Sequence, residues 1–215
     1  MIKISPSIIA ANLLEIEKEV KLVDHFGADY IHIDIMDGHY VPNITFGPNI
    51  VKSLRKITSK ILDVHLMIKP VKQYINEFVE AGSDIITFHP EADDNPEEII
   101  KMISDAEIKA GIAIHPEVNI ADIDHLFSKV QQIIVMTVTP GFGGQKFMHD
   151  QVQKIKDLDE IRKNNNYNYE IAVDGGVNNE NAKICKDNGA DVLAVGSYLL
   201  SQNQNNYNKI INSLR

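Results

Sequence analysis

The chain has 215 residues, an apolar share of 44% and a formal net charge of −9, which fits one domain with a sizeable core and argues against a surface for nucleic acid or anionic membrane. Its single cysteine, Cys185, excludes an intramolecular disulfide framework and any zinc motif of paired cysteines. No apolar stretch approaches the roughly 20 residues needed to cross a bilayer, and the start Met1-Ile2-Lys3-Ile4 lacks the basic flank and apolar core of a signal peptide, so a cytoplasmic protein is expected.

Eight short apolar runs read as strands, at 4–10, 30–36, 61–68, 85–89, 111–115, 132–138, 169–174 and 192–196. Stretches between them have helical spacing, as in Leu13, Ile16, Val20 and Val23 or in Tyr74, Ile75, Phe78 and Val79, and Gly27, Gly82 and Gly189 mark helix ends. The segment around Cys185, from Ala182 to Lys186, reads as a solvated helix carrying an ordinary structural thiol. Two Asn-rich segments, 164–168 and 202–206, read as plain connectors. Strand-helix alternation with short connections predicts a parallel sheet. Eight units in a chain of this length predict an α/β fold with one closed (β/α)8 TIM barrel over residues 1–215 as a single catalytic domain. No dinucleotide fingerprint follows the first strand, which speaks against a Rossmann sheet.

Three of these strands carry ionisable side chains toward their carboxyl ends. In Tyr30-Ile31-His32-Ile33-Asp34-Ile35-Met36, alternation puts His32, Asp34 and Met36 on one face, and His65 and Met67 share a face of the third strand. Asp174 ends the seventh. Polar intrusions into strands buried on both sides are costly unless metal binding or catalysis requires them. His32, Asp34, His65 and Asp174 therefore form a candidate metal set at the carboxyl mouth of the barrel, where barrel active sites lie. Mixed nitrogen and oxygen ligation suits one divalent ion such as Zn, Fe, Mn or Co. Met36, Met67 and Met136 would supply an apolar wall that excludes water from a charged intermediate.

Glycines gather in the last three strand-helix loops: Gly141, Gly143 and Gly144 around Phe142 after the sixth strand, Gly175-Gly176 after the seventh, and Gly196-Ser197 after the eighth. Such loops let backbone N–H groups approach an anion, which predicts a ligand with a terminal phosphate, and the first of them is long enough to act as a lid.

Six motifs carry a family resemblance: Ser5-Pro6-Ser7, the run from His32 through Asp37-Gly38 to Asn43, His65-Leu66-Met67, Phe88-His89-Pro90-Glu91, Pro140-Gly141-Phe142-Gly143-Gly144-Gln145 and Val173-Asp174-Gly175-Gly176. Together they resemble the ribulose-phosphate 3-epimerase family over nearly the whole chain. The resemblance implies interconversion of D-ribulose 5-phosphate and D-xylulose 5-phosphate with one divalent metal per subunit, in a homo-oligomer. By matched position it implies His32, Asp34, His65 and Asp174 as ligands, Asp34 and Asp174 as the acid/base pair, and Ser7 and His65 as substrate contacts. It also implies that Gly141 to Gly144, Gly175, Gly176, Gly196 and Ser197 hold the phosphate region.

Thr139 stands where the family often has Asn, and His115-Pro116-Glu117 where an Asn-Pro pair is common; a rim or structural role is expected for His115. Inverting a carbon beside a carbonyl needs proton removal on one face and return on the other, which two carboxylates can supply. The rivals are an epimerase acting on D-allulose 6-phosphate, a decarboxylase or lyase of sugar phosphates, and a silent sugar-phosphate binder. The second calls for an Asp-x-Lys-x-x-Asp strand that Asp34-Ile35-Met36-Asp37 does not provide.

Overall fold

The computed structural model describes residues 1–215 and contains eight parallel strands: β1 (Lys3–Pro6), β2 (Tyr30–Met36), β3 (Ile61–Met67), β4 (Ile85–Phe88), β5 (Lys109–Ile114), β6 (Gln132–Met136), β7 (Glu170–Asp174) and β8 (Val192–Val195). From β2 to β8 each strand pairs with its sequence neighbour, and β1 pairs with β8. Between β1 and β2 the seam is closed by a single parallel bridge, Ser7 to His32. Helices α1 (Ile16–His25), α2 (Pro48–Arg55), α3 (Ile75–Glu80), α4 (Pro96–Asp105), α5 (Ile120–Ile123), α6 (Val152–Asn165), α7 (Asn179–Asp187) and α8 (Ser197–Leu200) follow the strands in turn, and α9 (Tyr207–Ser213) ends the chain. This is the expected (β/α)8 barrel.

Period-two alternation explains how the strands serve two cores. On β2, Ile31, Ile33 and Ile35 face outward into a cluster of 50 buried residues between sheet and helices. Tyr30, Ile85, Ala113, Ile134, Met136, Ala172 and Val192 pack inside the barrel, and a third cluster of Met36, Val41 and Met67 caps its carboxyl end. Burying a side chain of the Ile or Leu type contributes about 1.5–3 kcal/mol, so the outer layer carries most of the stability. The polar residues of the interior, Asp34 and His65 among them, are tolerated within that surplus.

Local signals fix the element ends. Asn95 caps α4 through Glu98 N, with Pro96 in its first turn, and Asn178 and Asn181 cap α7 reciprocally. Gly27, Gly82 and Gly189, at φ +93°, +95° and +105°, end their helices in left-handed backbone. At the amino end of the barrel, Lys3 pairs with Glu170, and Tyr30 donates to Glu170 Oε2 at 2.8 Å.

Four expectations need correction. The first strand stops at Pro6: Ser7 N still donates to Val195 O at 3.0 Å, but Ile8–Ala10 then turns as a 3-10 helix in which Ala10 N donates to Ser7 O. Leu13 belongs to a 3-10 turn ahead of α1 and is 56% exposed, so it lies off the buried stripe. The helix around Cys185 is not solvated throughout: Cys185 and Ala182 are buried on its inner face, and burial pushes the thiol up to about 12. The first Asn-rich segment is partly helical, since α6 runs to Asn165 and ends on Asn166 at φ +55°.

Candidate active site and metal centre

The barrel mouth is built from strand ends held by their own loops. Thr45, in the loop after β2, donates through Oγ1 to Asp34 O at 2.7 Å and accepts from Met36 N at 3.0 Å. Thr137 Oγ1 donates to Gly175 O at 2.6 Å, and Asn181 Nδ2 donates to Gly176 O at 2.9 Å, so the loop after β7 is gripped by β6 and by the first turn of α7. Ser7 Oγ donates to Asp34 Oδ2 at 2.6 Å across the seam.

The structure brings His32, Asp34, His65 and Asp174 together, one donor atom of each lying within 4.8 Å of the others. His32 Nε2 stands 3.2 Å from Asp34 Oδ1 and 3.7 Å from Asp174 Oδ2; His65 Nδ1 stands 3.3 Å and 3.6 Å from the same two atoms. Donors about 2.1 Å from a common point at tetrahedral angles lie about 3.4 Å apart, so this spacing fits a divalent ion. A second observation agrees: His32 Nε2, Asp34 Oδ1 and His65 Nδ1 are buried without a hydrogen-bond partner. Orphaned polar atoms of this kind are costly, and three aimed at one point call for a shared cation.

The nitrogens that face away from the centre are engaged. His32 Nδ1 meets Asp63 Oδ2 at 2.9 Å, which leaves Nε2 as the lone pair of the neutral ring. His65 Nε2 meets His89 Nε2 at 3.0 Å. Asp63 and His89 are absent from the sequence-derived set. Alternation could have revealed Asp63, which shares a face of β3 with His65 and Met67.

Without an ion the cluster is a set of opposed charges. Burial pulls His32 down, but the carboxylates of Asp34 and Asp63 outweigh it and hold the ring well above the usual imidazole range. His65 is likewise raised, burial being outweighed by Asp174 and Asp34. Burial pushes Asp34 up, yet the His32 and His65 rings bring it below the ordinary carboxylate range. Asp174 is lowered too, against both its burial and the charge of Asp34. Burial and the neighbouring His65 push His89 down to about 4, despite Glu91.

Above the cluster lies a cavity lined by Ser7, Asp34, Asp174, the three methionines 36, 67 and 136, and the glycine loops. Gly141, Phe142, Gly143, Gly144, Gly175, Gly176, Gly196 and Ser197 all line it. His32 and His65 are fully buried and stand behind that lining. Gly175 and Gly176 have φ +121° and +64°, and a Cβ on them would come within 2.5 Å of Val138 Cγ2 and 2.6 Å of Phe147 N. Only glycine lets this backbone reach the cavity wall. No lysine or arginine lines the cavity, so an anion there would be met by backbone N–H groups. His115 stays outside the lining, its Nδ1 accepting from Glu117 N at 3.2 Å.

Comparison with known proteins gives a concordant result. The model of the Ribulose-phosphate 3 epimerase family matches residues 3–200. A ribulose-phosphate 3-epimerase of Bacillus subtilis (strain 168) is 43% identical over 203 residues, covering 94% of each chain. One of Escherichia coli (strain K12) is 37% identical, covering 99% of this chain and 94% of the relative. Among solved structures, the 3-keto-L-gulonate-6-phosphate decarboxylase of Vibrio cholerae superposes with a TM-score of 0.72 at 17% identity, over 100% of this chain and 95% of that one, a likeness of fold.

Proposed function

The chain belongs to the ribulose-phosphate 3-epimerase family, an isomerase class, and from that premise we propose that it interconverts D-ribulose 5-phosphate and D-xylulose 5-phosphate by proton transfer between Asp34 and Asp174. The observation that carries the reading is that the two carboxylates arrive from β2 and β7, on either side of the β1–β8 pair, and both border one cavity. In the ribulose-to-xylulose direction Asp34 takes the proton from C3. The electron pair of that C–H bond becomes the C2–C3 π bond of an enediolate, and the π pair of the C2 carbonyl moves onto its oxygen. Asp174, protonated, returns a proton to C3 from the opposite face, and the C2 carbonyl is restored. Each turnover leaves the proton on the other carboxylate, which readies the site for reversal or for exchange with water.

His32, Asp34, His65 and Asp174 would hold one divalent cation, of the Zn, Fe, Mn or Co kind. When bound, it supplies Lewis-acid stabilisation of the oxyanion, without which a carboxylate of ordinary pKa, about 3.9, is far too weak a base for a proton on carbon. Met36, Met67 and Met136, all buried, keep water from the reacting carbons. Ser7 holds Asp34 in orientation, and the backbone of Gly175, Gly176, Gly196 and Ser197 receives the phosphate, with the loop from Gly141 to Gly144 closing over it. The proposal includes residues 1–215 as one catalytic domain acting in the cytoplasm, and, on the family resemblance, as a homo-oligomer.

The test is conversion of D-ribulose 5-phosphate in deuterated water, followed by NMR before and after chelation, with D-allulose 6-phosphate in parallel. Metal-dependent deuteration at C3 with xylulose product is expected, and Asp34→Asn or Asp174→Asn should lose both. Reaction with only the six-carbon sugar would replace the substrate. Wild-type turnover by metal-loaded Asp34→Asn would overturn the mechanism.

A further inference from the structure

The two imidazoles of the cluster are held from behind by different partners. His32 leans on a carboxylate, Asp63 Oδ2, at 2.9 Å. His65 leans on another imidazole: its Nε2 is 3.0 Å from Nε2 of His89, with the rings tilted 32° and their centroids 5.1 Å apart. Such a contact holds one proton, since two would oppose each other and none would set lone pair against lone pair. His65 can offer Nδ1 to a cation as a neutral ring only when that proton sits on its own Nε2. His89 Nε2 is then the acceptor, and the proton of His89 sits on Nδ1, which lies 3.4 Å from Glu91 Oε1, within ion-pair distance and short of a hydrogen bond.

The chain of partners continues outward. Tyr40 donates through its hydroxyl to the same Glu91 oxygen at 2.8 Å, and its ring lies 4.8 Å from that of His89. Asp37 fixes Tyr40 in turn: its Oδ1 accepts from Tyr40 N at 3.1 Å and its Oδ2 from Lys69 N at 2.8 Å, clipping the loops after β2 and β3 together. His89 itself is wholly buried and does not line the cavity. It cannot touch substrate.

We propose that His89, backed by Glu91 and Tyr40, is the positioning residue for His65, accepting its Nε2–H and so keeping Nδ1 turned on the metal centre. This rests on the reading of His65 as a ligand. The arrangement does for His65 what Asp63 does for His32, with the negative charge placed one residue further out, on Glu91. Groups behind a ligating imidazole commonly govern metal affinity by about 10- to 100-fold.

The test is Co2+ titration of the full chain after chelation, read by visible absorption and by competition with a fluorescent chelator. Wild type should take up one equivalent; failure to do so would overturn the ligand reading itself. His89→Phe should bind about 10- to 100-fold more weakly with an altered spectrum, and His89→Gln, whose amide oxygen can accept the same proton, should stay within about threefold of wild type. A role confined to packing would lower the melting temperature of the metal-free protein and leave affinity and spectrum unmoved. Wild-type affinity in His89→Phe, or equal weakening in His89→Gln and His89→Phe, would overturn the proposal. Should His89→Phe fail to fold, Glu91→Gln decides: binding weaker by at least about threefold supports the relay, and unchanged binding and spectrum refute it.

Discussion

Replacing Ser7 by alanine tests the link between barrel closure and the site. The Ser7 hydroxyl donates to Asp34 Oδ2 at 2.6 Å where both residues are buried, while Asp34 Oδ1 faces the His32 and His65 rings at 3.2 and 3.3 Å. The substitution would strip Oδ2 of its side-chain hydrogen bond. A hydrogen bond to a charged group contributes about 1.5–3 kcal/mol, and removal of one partner exposes the desolvation cost of the other, so the upper part of that range applies. The missing oxygen leaves less than a methyl group of space, and no cavity penalty is added. In the metal-free protein Ser7→Ala should lower the unfolding free energy by about 2–3 kcal/mol, or the melting temperature by roughly 4–12 °C for a chain of this size. The Asp34 carboxyl should move upward, because its ionised form has lost a donor. Urea denaturation of chelated protein, followed by far-ultraviolet circular dichroism, measures the loss. A change below about 0.5 kcal/mol, the range of a neutral surface substitution, would refute the claim that this bond fastens the seam.

Other perturbations probe the rest of the site. His32 and His65 are held above the usual imidazole range without an ion, so their contribution to stability is complete below about pH 6.5 and is lost as pH rises through the folded values. A cation must displace those protons; the gap in melting temperature between metal-loaded and metal-free protein should widen from pH 6 to pH 9, and a constant gap would contradict the assignment. Gly176→Ala puts a Cβ 2.6 Å from Phe147 N at φ +64° and should raise KM at least about tenfold, equivalent to about 1.4 kcal/mol, with kcat less affected; an unchanged KM would remove Gly176 from the phosphate site. With no cationic side chain in the cavity and a net charge of −9, kcat/KM for a dianionic sugar should rise with added NaCl as repulsion is screened, and a steep fall would point to a basic residue at the entrance. The buried Cys185 thiol, pushed up to about 12, should resist Ellman's reagent at pH 8 until the protein is unfolded.

Much of this was legible in the sequence because buried parallel strands announce themselves. The 30–36 run coincides with β2, and its polar residues at 32 and 34 stood out against Ile31, Ile33 and Ile35, which face the helices. Convergence of His32, Asp34, His65 and Asp174 followed from topology, since a barrel gathers strand ends at one mouth. Other features needed three dimensions. Cys185 gives no periodic signal of its own, and the lysines beside it masked an inward position that only packing reveals. His89 ends its strand like any polar residue at a barrel rim; that it backs His65 depends on a 3.0 Å contact between neighbouring strands. Leu13 fits helical spacing and still lies outside, because its 3-10 turn precedes the helix that the spacing describes.

The seam between β1 and β2 bears on how the protein is made. A chain emerging from the ribosome presents Ser7, His32, Asp34 and His65 early, while Asp174 follows roughly a hundred residues later. The bridge from Ser7 to His32 joins strands whose other flanks await β8 and β3. A nascent chain thus carries three of the four donors without the fourth, or the strand that carries it, so a metal ion can be captured in full coordination only after synthesis has passed β7. Four-donor coordination at the proposed centre therefore has to wait for the part of the chain that carries β7.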